Sequence, residues 1–149
     1  MEKEHVLISA CLLGLDCKYN GGTNLLPEAK LRALAEKYEL VPVCPESYGG
    51  LAAPRLPSER VGERVLAKDG TDVTAQYRKG AKAALRLAGL LGCTSAIMKE
   101  HSPSCGHGRI YDGTFTGTLV PGDGMAAELE RAQLEAGAGA HGRVEEHQR

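Results

Sequence analysis

The chain has 149 residues, with 18 basic and 19 acidic side chains and a formal net charge of −1, so nothing electrostatic selects nucleic acid or an anionic membrane as partner. One phenylalanine and no tryptophan offer no platform for stacking bases, and no run approaches the roughly 18 apolar residues of a membrane span. Five cysteines, odd in number and widely spaced, exclude a secreted disulfide scaffold. The composition implies one domain over residues 1–149, in the cytoplasm, with its thiols reduced. Ile8-Ser9-Ala10-Cys11 imitates the cleavage box before a lipid-modified cysteine. The apolar run before it, Val6 to Ile8, is far shorter than the roughly 7–15 residues such a signal needs.

HVLISAC (5–11) is a short apolar run closed by a glycine-rich loop, the pattern of a buried strand. Residues 26–39 follow with helical spacing: Leu31, Leu34, Ala35 and Tyr38 share one face, and Pro27 sits in the first turn. LVPVC (40–44) is a second strand, and Pro42 within it predicts a short strand or an edge position. Residues 45–62, punctuated by proline and glycine, read as loop, and 63–70 as a short strand running into a turn. The longest helix is expected over 71–92, with a stripe of Tyr77, Ala81, Ala84, Leu85, Ala88 and Leu91, a cap among Thr71, Asp72 and Thr74, and Gly92 at its end. TSAIMK (94–99) is another buried strand; a hairpin about Asp112-Gly113 and a last helix over 124–137 complete the order. From about residue 137 the chain reads as a flexible tail. Strands alternating with helices predict an α/β fold: a three-layer α/β/α sandwich around a mostly parallel, Rossmann-like sheet.

In such a sheet, sites form outside the carboxyl ends of the strands. Cys11 ends the first strand, Cys44 ends the second, and Cys105 lies shortly after Lys99, the end of a later one. The topology therefore gathers three thiols that are distant in sequence. Cys17 follows Cys11 on the same side, whereas Cys93 precedes its strand and is expected in the core at the opposite edge. Cys17 can be a fourth ligand, a resolving thiol or a packing residue. Three thiolates with one open position suit a catalytic metal better than a closed structural zinc. Soft thiolates select zinc, copper(I) or iron–sulfur, and a [4Fe–4S] cluster held by three of them leaves one Lewis-acidic iron exposed. The glycines nearby (Gly14, Gly21, Gly22, Gly49, Gly50, Gly106 and Gly108) are expected to let backbone N–H groups approach the sulfides. Glu46 taken alone caps a turn or pairs with Arg55; Arg55 and Glu59 also suit a surface pair, and Lys18 and Lys99 suit an anionic group on a substrate.

ISACLLGLDCKYNGG, then CPESYGGLAAPRLPSE, then KEHSPSCGHGRIYDGTFTGTLVPGDG resemble the bacterial 2-thiouracil desulfidase family, in the right order and over about residues 6 to 130. Beyond about residue 136 the pattern is lost. The resemblance implies a [4Fe–4S] cluster held by Cys11, Cys44 and Cys105, with Glu46 and Ser102 as the catalytic acidic residue and serine. It implies a non-redox desulfidase that removes sulfur from a thiolated base or nucleoside such as 2-thiouracil, giving uracil and hydrogen sulfide. Glu46 would activate a water or shuttle a proton, and Ser102 would relay it. Two other classes compete with this reading. One is a metal-independent enzyme with Cys105 as nucleophile and His101 or His107 as base; the other is a module that binds a cluster or sulfide and turns nothing over. The partner in each case is a small molecule, and monomer and homodimer are equally compatible with the sequence.

Overall fold

The computed structural model describes residues 3–129, 131 and 143–147. β1 (Glu4–Ser9) runs into a 3₁₀ turn (Ala10–Leu13), then come α1 (Glu28–Lys37), β2 (Tyr38–Val43), the short α2 (Pro45–Tyr48), β3 (Ser58–Val61) and β4 (Arg64–Ala67). The long α3 (Thr74–Leu90) follows, then β5 (Cys93–Lys99), β6 (Arg109–Tyr111), β7 (Leu119–Pro121), a helical segment over 125–129, and β8 (Arg143–His147). β1, β2, β5 and β8 form one parallel sheet in the order β2-β1-β5-β8. Among the described residues no helix is long and apolar enough to cross a membrane.

β1 and β5, at the centre of the sheet, are buried on both faces, which is why they read as near-continuous apolar runs. Val6 and Ile8 of β1 join Ile97, Leu12, Leu26 and Tyr38 in one cluster, with Leu31 and Leu34 of α1 packed against it. Leu7, Ala96 and Met98, the alternate residues, join Val43, Val65, Tyr77 and Ala81 in the other. Two-residue strand periodicity thus sorts neighbouring side chains into two cores.

Several elements differ from the sequence expectation, each for a local reason. α1 stops at Lys37 and buries no residue completely; Tyr38 has extended φ and ψ of −128° and 155° and opens β2, paired with Glu4. The pairing to β1 wins over the helical spacing that Tyr38 shares with Leu31 and Leu34. β2 is an edge strand of the described sheet, as Pro42 predicts. Residues 45–62 are not all loop: they include α2 and β3, and β3 pairs antiparallel with β4 through the two-residue turn Gly62-Glu63. Gly62, at φ +59°, supplies the left-handed backbone that a two-residue hairpin turn requires.

α3 is shorter than 71–92. Its start is organised by Asp72, whose Oδ1 accepts the Thr74 N–H at 2.9 Å, and by the Thr74 Oγ1, which accepts the Val65 N–H at 2.9 Å. Tyr77, Ala81, Ala84 and Ala88 are buried as the stripe predicts, while Leu91 lies beyond the helix and is 41% exposed. The hairpin expected about Asp112-Gly113 is instead β6 and β7 joined by a loop over 112–118, closed by the Asp112 N–H donated to the Thr118 carbonyl at 3.0 Å. Most of the expected last helix, 124–137, and of the tail from 137 lies outside the described residues. Arg143–His147, however, run as a strand beside β5; they satisfy backbone groups that β5 would otherwise present as an open edge.

Two glycines bring α2 against α3. A Cβ on Gly49 would lie 2.0 Å from the Gln76 carbonyl oxygen, and one on Gly80 would lie 1.6 Å from that of Pro45. This backbone contact fixes the segment that follows β2. The order of the sheet does the rest. From β1 the chain moves outward to β2, then returns to place β5 on the other side of β1. The carboxyl ends of β1, β2 and β5 meet at that reversal, the place where open α/β sheets form their sites.

Candidate active site

A cavity of about 490 Å³ opens at this reversal. Cys11 enters it from the 3₁₀ turn after β1, Cys44 from the residue after β2, Glu46 from the first turn of α2, and Ser102 and Cys105 from the loop after β5. All five residues expected to form the site therefore share one cavity, together with Cys17 and Lys99. Cys93 begins β5 at the far end of the sheet, half-buried beside the core. His101 and His107 do not line the cavity.

The thiols form a connected group. The Cys17 thiol hydrogen-bonds with the sulfurs of Cys11 and Cys44, its one proton serving one of them at a time, and these contacts push its own pKa up. The accepting sulfurs are correspondingly acidic: Cys11 is lowered to about 7 and Cys44 to about 6, in each case chiefly by that bond from Cys17. Asn24 Nδ2 adds a contact to the Cys11 sulfur at 3.4 Å, and Ser47 Oγ one to the Cys44 sulfur at 3.2 Å. Cys105 differs. Burial pushes its thiol up, against the hydroxyls of Ser9 and Ser104, which pull it down.

Glu46 is held from both sides. Its Oε1 receives Arg55 Nε at 3.1 Å and Nη2 at 2.8 Å, and its Oε2 receives Ser104 Oγ at 2.7 Å. The ion pair is well shielded, with side-chain exposures of 11% for Arg55 and 14% for Glu46. Tyr77 also hydrogen-bonds this carboxylate, and burial followed by that charge pushes its phenol far up, so it remains a donor. Arg55 thus pairs with Glu46 and not with Glu59. Glu59 is 8% exposed and accepts the N–H groups of Gly113 and Phe115 at 2.9 and 3.1 Å. That pins the 112–118 loop so that Phe115, at φ +59°, faces the cavity.

Ser104 is the residue that the sequence reading missed. Ser102 Oγ accepts the Cys105 N–H at 2.7 Å and lies 3.4 Å from Ser104 Oγ, so Ser104 is the hydroxyl in direct contact with Glu46. The only signal for it was its place beside Cys105. Of the two lysines suited to an anionic group, Lys18 and Lys99 both line the cavity, and Lys99 Nζ donates to the Glu100 carbonyl at 2.9 Å.

The glycines play another part than expected. None of Gly14, Gly21, Gly22, Gly49, Gly50, Gly106 and Gly108 lines the cavity. A Cβ on Gly106 would lie 2.8 Å from the Ser102 carbonyl oxygen and 3.0 Å from the His101 nitrogen. Gly106 lets the Cys105 loop fold on itself, and Gly124 lets the following turn pack on it, where a Cβ would lie 2.5 Å from the Ser104 carbonyl carbon.

This donor set fits a group larger than one ion. Among the described residues no three of His, Cys, Asp or Glu converge on a single metal position, yet three thiols from separate strands face a common space, two of them acidic. Soft sulfur donors spread around a cavity suit an iron–sulfur cluster.

Comparison with known proteins agrees with this chemistry. Residues 6–136 match the family model of 2-thiouracil desulfurase. The uncharacterized protein YbbK of Bacillus subtilis (strain 168) is 38% identical over 134 residues, covering 83% of this chain and 87% of that protein. The solved structure of the [4Fe-4S]-dependent thiouracil desulfidase TudS superposes with a TM-score of 0.87 at 40% identity, over 97% of this chain and 91% of that one. The chain belongs to the 2-thiouracil desulfurase family.

Proposed function

We propose that Cys11, Cys44 and Cys105 hold a [4Fe–4S] cluster in the cavity, and that the protein removes sulfur from small thiolated heterocycles such as 2-thiouracil, giving uracil and hydrogen sulfide without net redox change. The observation that carries this reading is the meeting of these three thiols with Glu46 in one cavity. When bound, the cluster supplies a Lewis-acidic iron to polarise the substrate's C–S bond. The residues of the chain do the proton work. Arg55 occupies Oε1 of Glu46, which leaves Oε2 facing Ser104 and the cavity as the acceptor for a proton from water. Ser104, with Ser102 behind it at 3.4 Å, can pass that proton to the departing ring. Phe115 and the tyrosine side chains on the wall suit a flat heterocycle.

A metal-independent nucleophile is disfavoured by particulars: neither histidine lines the cavity, and burial raises the Cys105 pKa instead of lowering it. The fold that supports the site reads as a Rossmann-like three-layer arrangement, with α1 over one sheet face and α3 over the other. The protein acts in the cytoplasm as one domain, and its partner is a small molecule with no nucleic acid involved.

The test is anaerobic reconstitution with iron and sulfide, iron counting, and a thiouracil assay on wild type and Glu46→Gln. Roughly four irons per chain are expected in both, with turnover lost only in the variant. A colourless, iron-free wild type would overturn the cluster reading. Unchanged turnover in Glu46→Gln would overturn the role of Glu46.

A further inference from the structure

Lys99 and Glu100 both line the cavity, and the mechanism above uses neither. Lys99 closes β5, and Glu100 begins the turn that follows it. Two other carboxylates line the same cavity, and the chain supplies donors to both: Glu46 takes Arg55 and Ser104, and Glu59 takes the N–H groups of Gly113 and Phe115. Glu100 is different. Its side chain is only 15% exposed, and its Oε2 lies 3.9 Å from His101 Nε2. Its Oε1 is buried, and among the described residues nothing donates to it. A buried carboxylate oxygen needs a donor, and the cavity that Glu100 lines is where one can arrive. The residue is also held in place. His101 takes a left-handed φ of +65°, bridges to Ile110, and meets the Tyr111 ring edge-on at 5.9 Å between centroids. A strained backbone kept by its neighbours fixes the direction in which the chain leaves β5. Lys99 Nζ donates one N–H to the Glu100 carbonyl at 2.9 Å, and an ammonium carries two more. Consecutive residues thus bring a donor and an acceptor to one cavity.

We propose that Glu100 selects the substrate: its Oε1 accepts the ring N–H beside the sulfur-bearing carbon while Lys99 donates to the carbonyl oxygen next along the ring, so that the site takes thiolated imides, –C(=S)–NH–C(=O)–. The inference rests on the function proposed in the preceding subsection and names the substrate class of that same site. 2-Thiouracil presents this edge, an N–H followed by a carbonyl oxygen. 2-Thiocytosine presents the inverse, a bare ring nitrogen followed by an amino group. Against that ring Glu100 sets lone pair against lone pair, and Lys99 sets N–H against N–H. A site built around a buried acceptor rejects the wrong ring sharply, because the wrong ring leaves the buried oxygen unpaired. Neither residue makes or breaks a bond. Both hold the ring before and after sulfur leaves, since uracil carries the same edge.

The experiment compares wild type, Glu100→Gln and Glu100→Ala after anaerobic reconstitution, with iron counted in each. 2-Thiouracil and 2-thiocytosine are the substrates, and uracil and cytosine are the ligands for calorimetry. Wild type should prefer 2-thiouracil by ~10²-fold or more in kcat/KM and bind uracil but not cytosine. Glu100→Ala should raise KM for 2-thiouracil by roughly tenfold or more while kcat stays near wild type, the mark of lost uniform binding, and should weaken uracil binding by the same factor. Glu100→Gln keeps the shape and adds a donor, so it should narrow the preference by roughly tenfold or more, losing on 2-thiouracil and gaining on 2-thiocytosine. The same preference in all three proteins, or uracil bound equally by wild type and Glu100→Ala, would overturn the proposal. So would a loss of iron and of both activities in both variants, which marks a structural role. A wild type without iron would remove the cluster reading alone, and uracil calorimetry on that protein and its variants would still decide the part of Glu100.

Discussion

Gly80→Ala separates local helix propensity from backbone packing, because the two predict opposite signs. Gly80 lies inside α3, where propensity alone favours alanine by about 1 kcal/mol. The structure opposes this. The new Cβ would lie 1.6 Å from the Pro45 carbonyl oxygen and 2.5 Å from its carbon, whereas ordinary contact begins near 3.4 Å. The two backbones must part by roughly 2 Å, and because main chain rather than a flexible side chain must move, the cost lies at or above the upper end of the ~1–3 kcal/mol of overpacking. A net loss of about 2 kcal/mol is expected after the propensity gain, lowering Tm by roughly 4–8 °C for a chain of this size. Pro45 stands between Cys44 and Glu46, so the same displacement moves a proposed ligand and the proposed base, and a shift of about 1 Å can cost ~10²-fold in rate. Urea denaturation of wild type, Gly80→Ala, Gly49→Ala and the double variant is the assay. Both glycines relieve the same α2–α3 contact, so the double variant should lose less than the two singles together. A Gly80→Ala protein as stable as wild type, or more so, would refute the reasoning.

Three further outcomes follow from the same geometry. Ser104→Ala should lower kcat by ~10²-fold while leaving iron content and KM near wild type, checked by steady-state kinetics on reconstituted protein; an unchanged kcat would return the relay to Ser102. Thr74→Val should cost about 1–3 kcal/mol in urea melts, because the buried Val65 N–H loses its acceptor at 2.9 Å. Asp72 is held below its ordinary 3.8, at about 2, first by the Thr74 hydroxyl and backbone and then by Arg64. A depressed carboxyl stabilises fully above its unfolded pKa and ceases to do so as pH falls through the folded one. The stability difference between wild type and Asp72→Asn should therefore be constant above pH ~5 and shrink from about pH 4 to pH 2; a difference that grew on acidification would contradict the assignment.

The sequence was most legible where one periodicity had no rival. Val6 to Ile8 and Ala96 to Met98 announce strands buried on both faces, and from strand ends alone Cys11, Cys44 and Cys105 could be assigned to one edge. Tyr38 was misread because its spacing from Leu31 and Leu34 is helical, while its backbone is claimed by pairing with Glu4. Val61-Gly62-Glu63-Arg64 carried a hairpin signal obscured by the proline-rich stretch before it. Ser104 was hidden for a different reason: its bond to Glu46 is a tertiary contact across 58 residues, which no local pattern encodes, whereas the Arg55–Glu46 pair was one of two readings the sequence offered. The glycines were seen as unusual, but only the Cβ positions at Gly49, Gly80 and Gly106 reveal that they serve backbone against backbone.

The three thiols proposed to hold the cluster come from residues 11, 44 and 105, each at the end of a different strand or the loop beyond it. In an unfolded chain these sulfurs have no high local concentration, unlike the close pairs of a zinc finger, which can grip metal before the domain is complete. A growing polypeptide thus has no binding site until residue 105 has left the ribosome and β5 has docked beside β1. Whatever delivers a cluster must meet a finished surface at the mouth of the cavity, not a peptide motif, and loading then stabilises the whole domain by mass action. Loss of the cluster would be felt at all three strand ends at once, so oxidative damage at the site and weakening of the fold should go together.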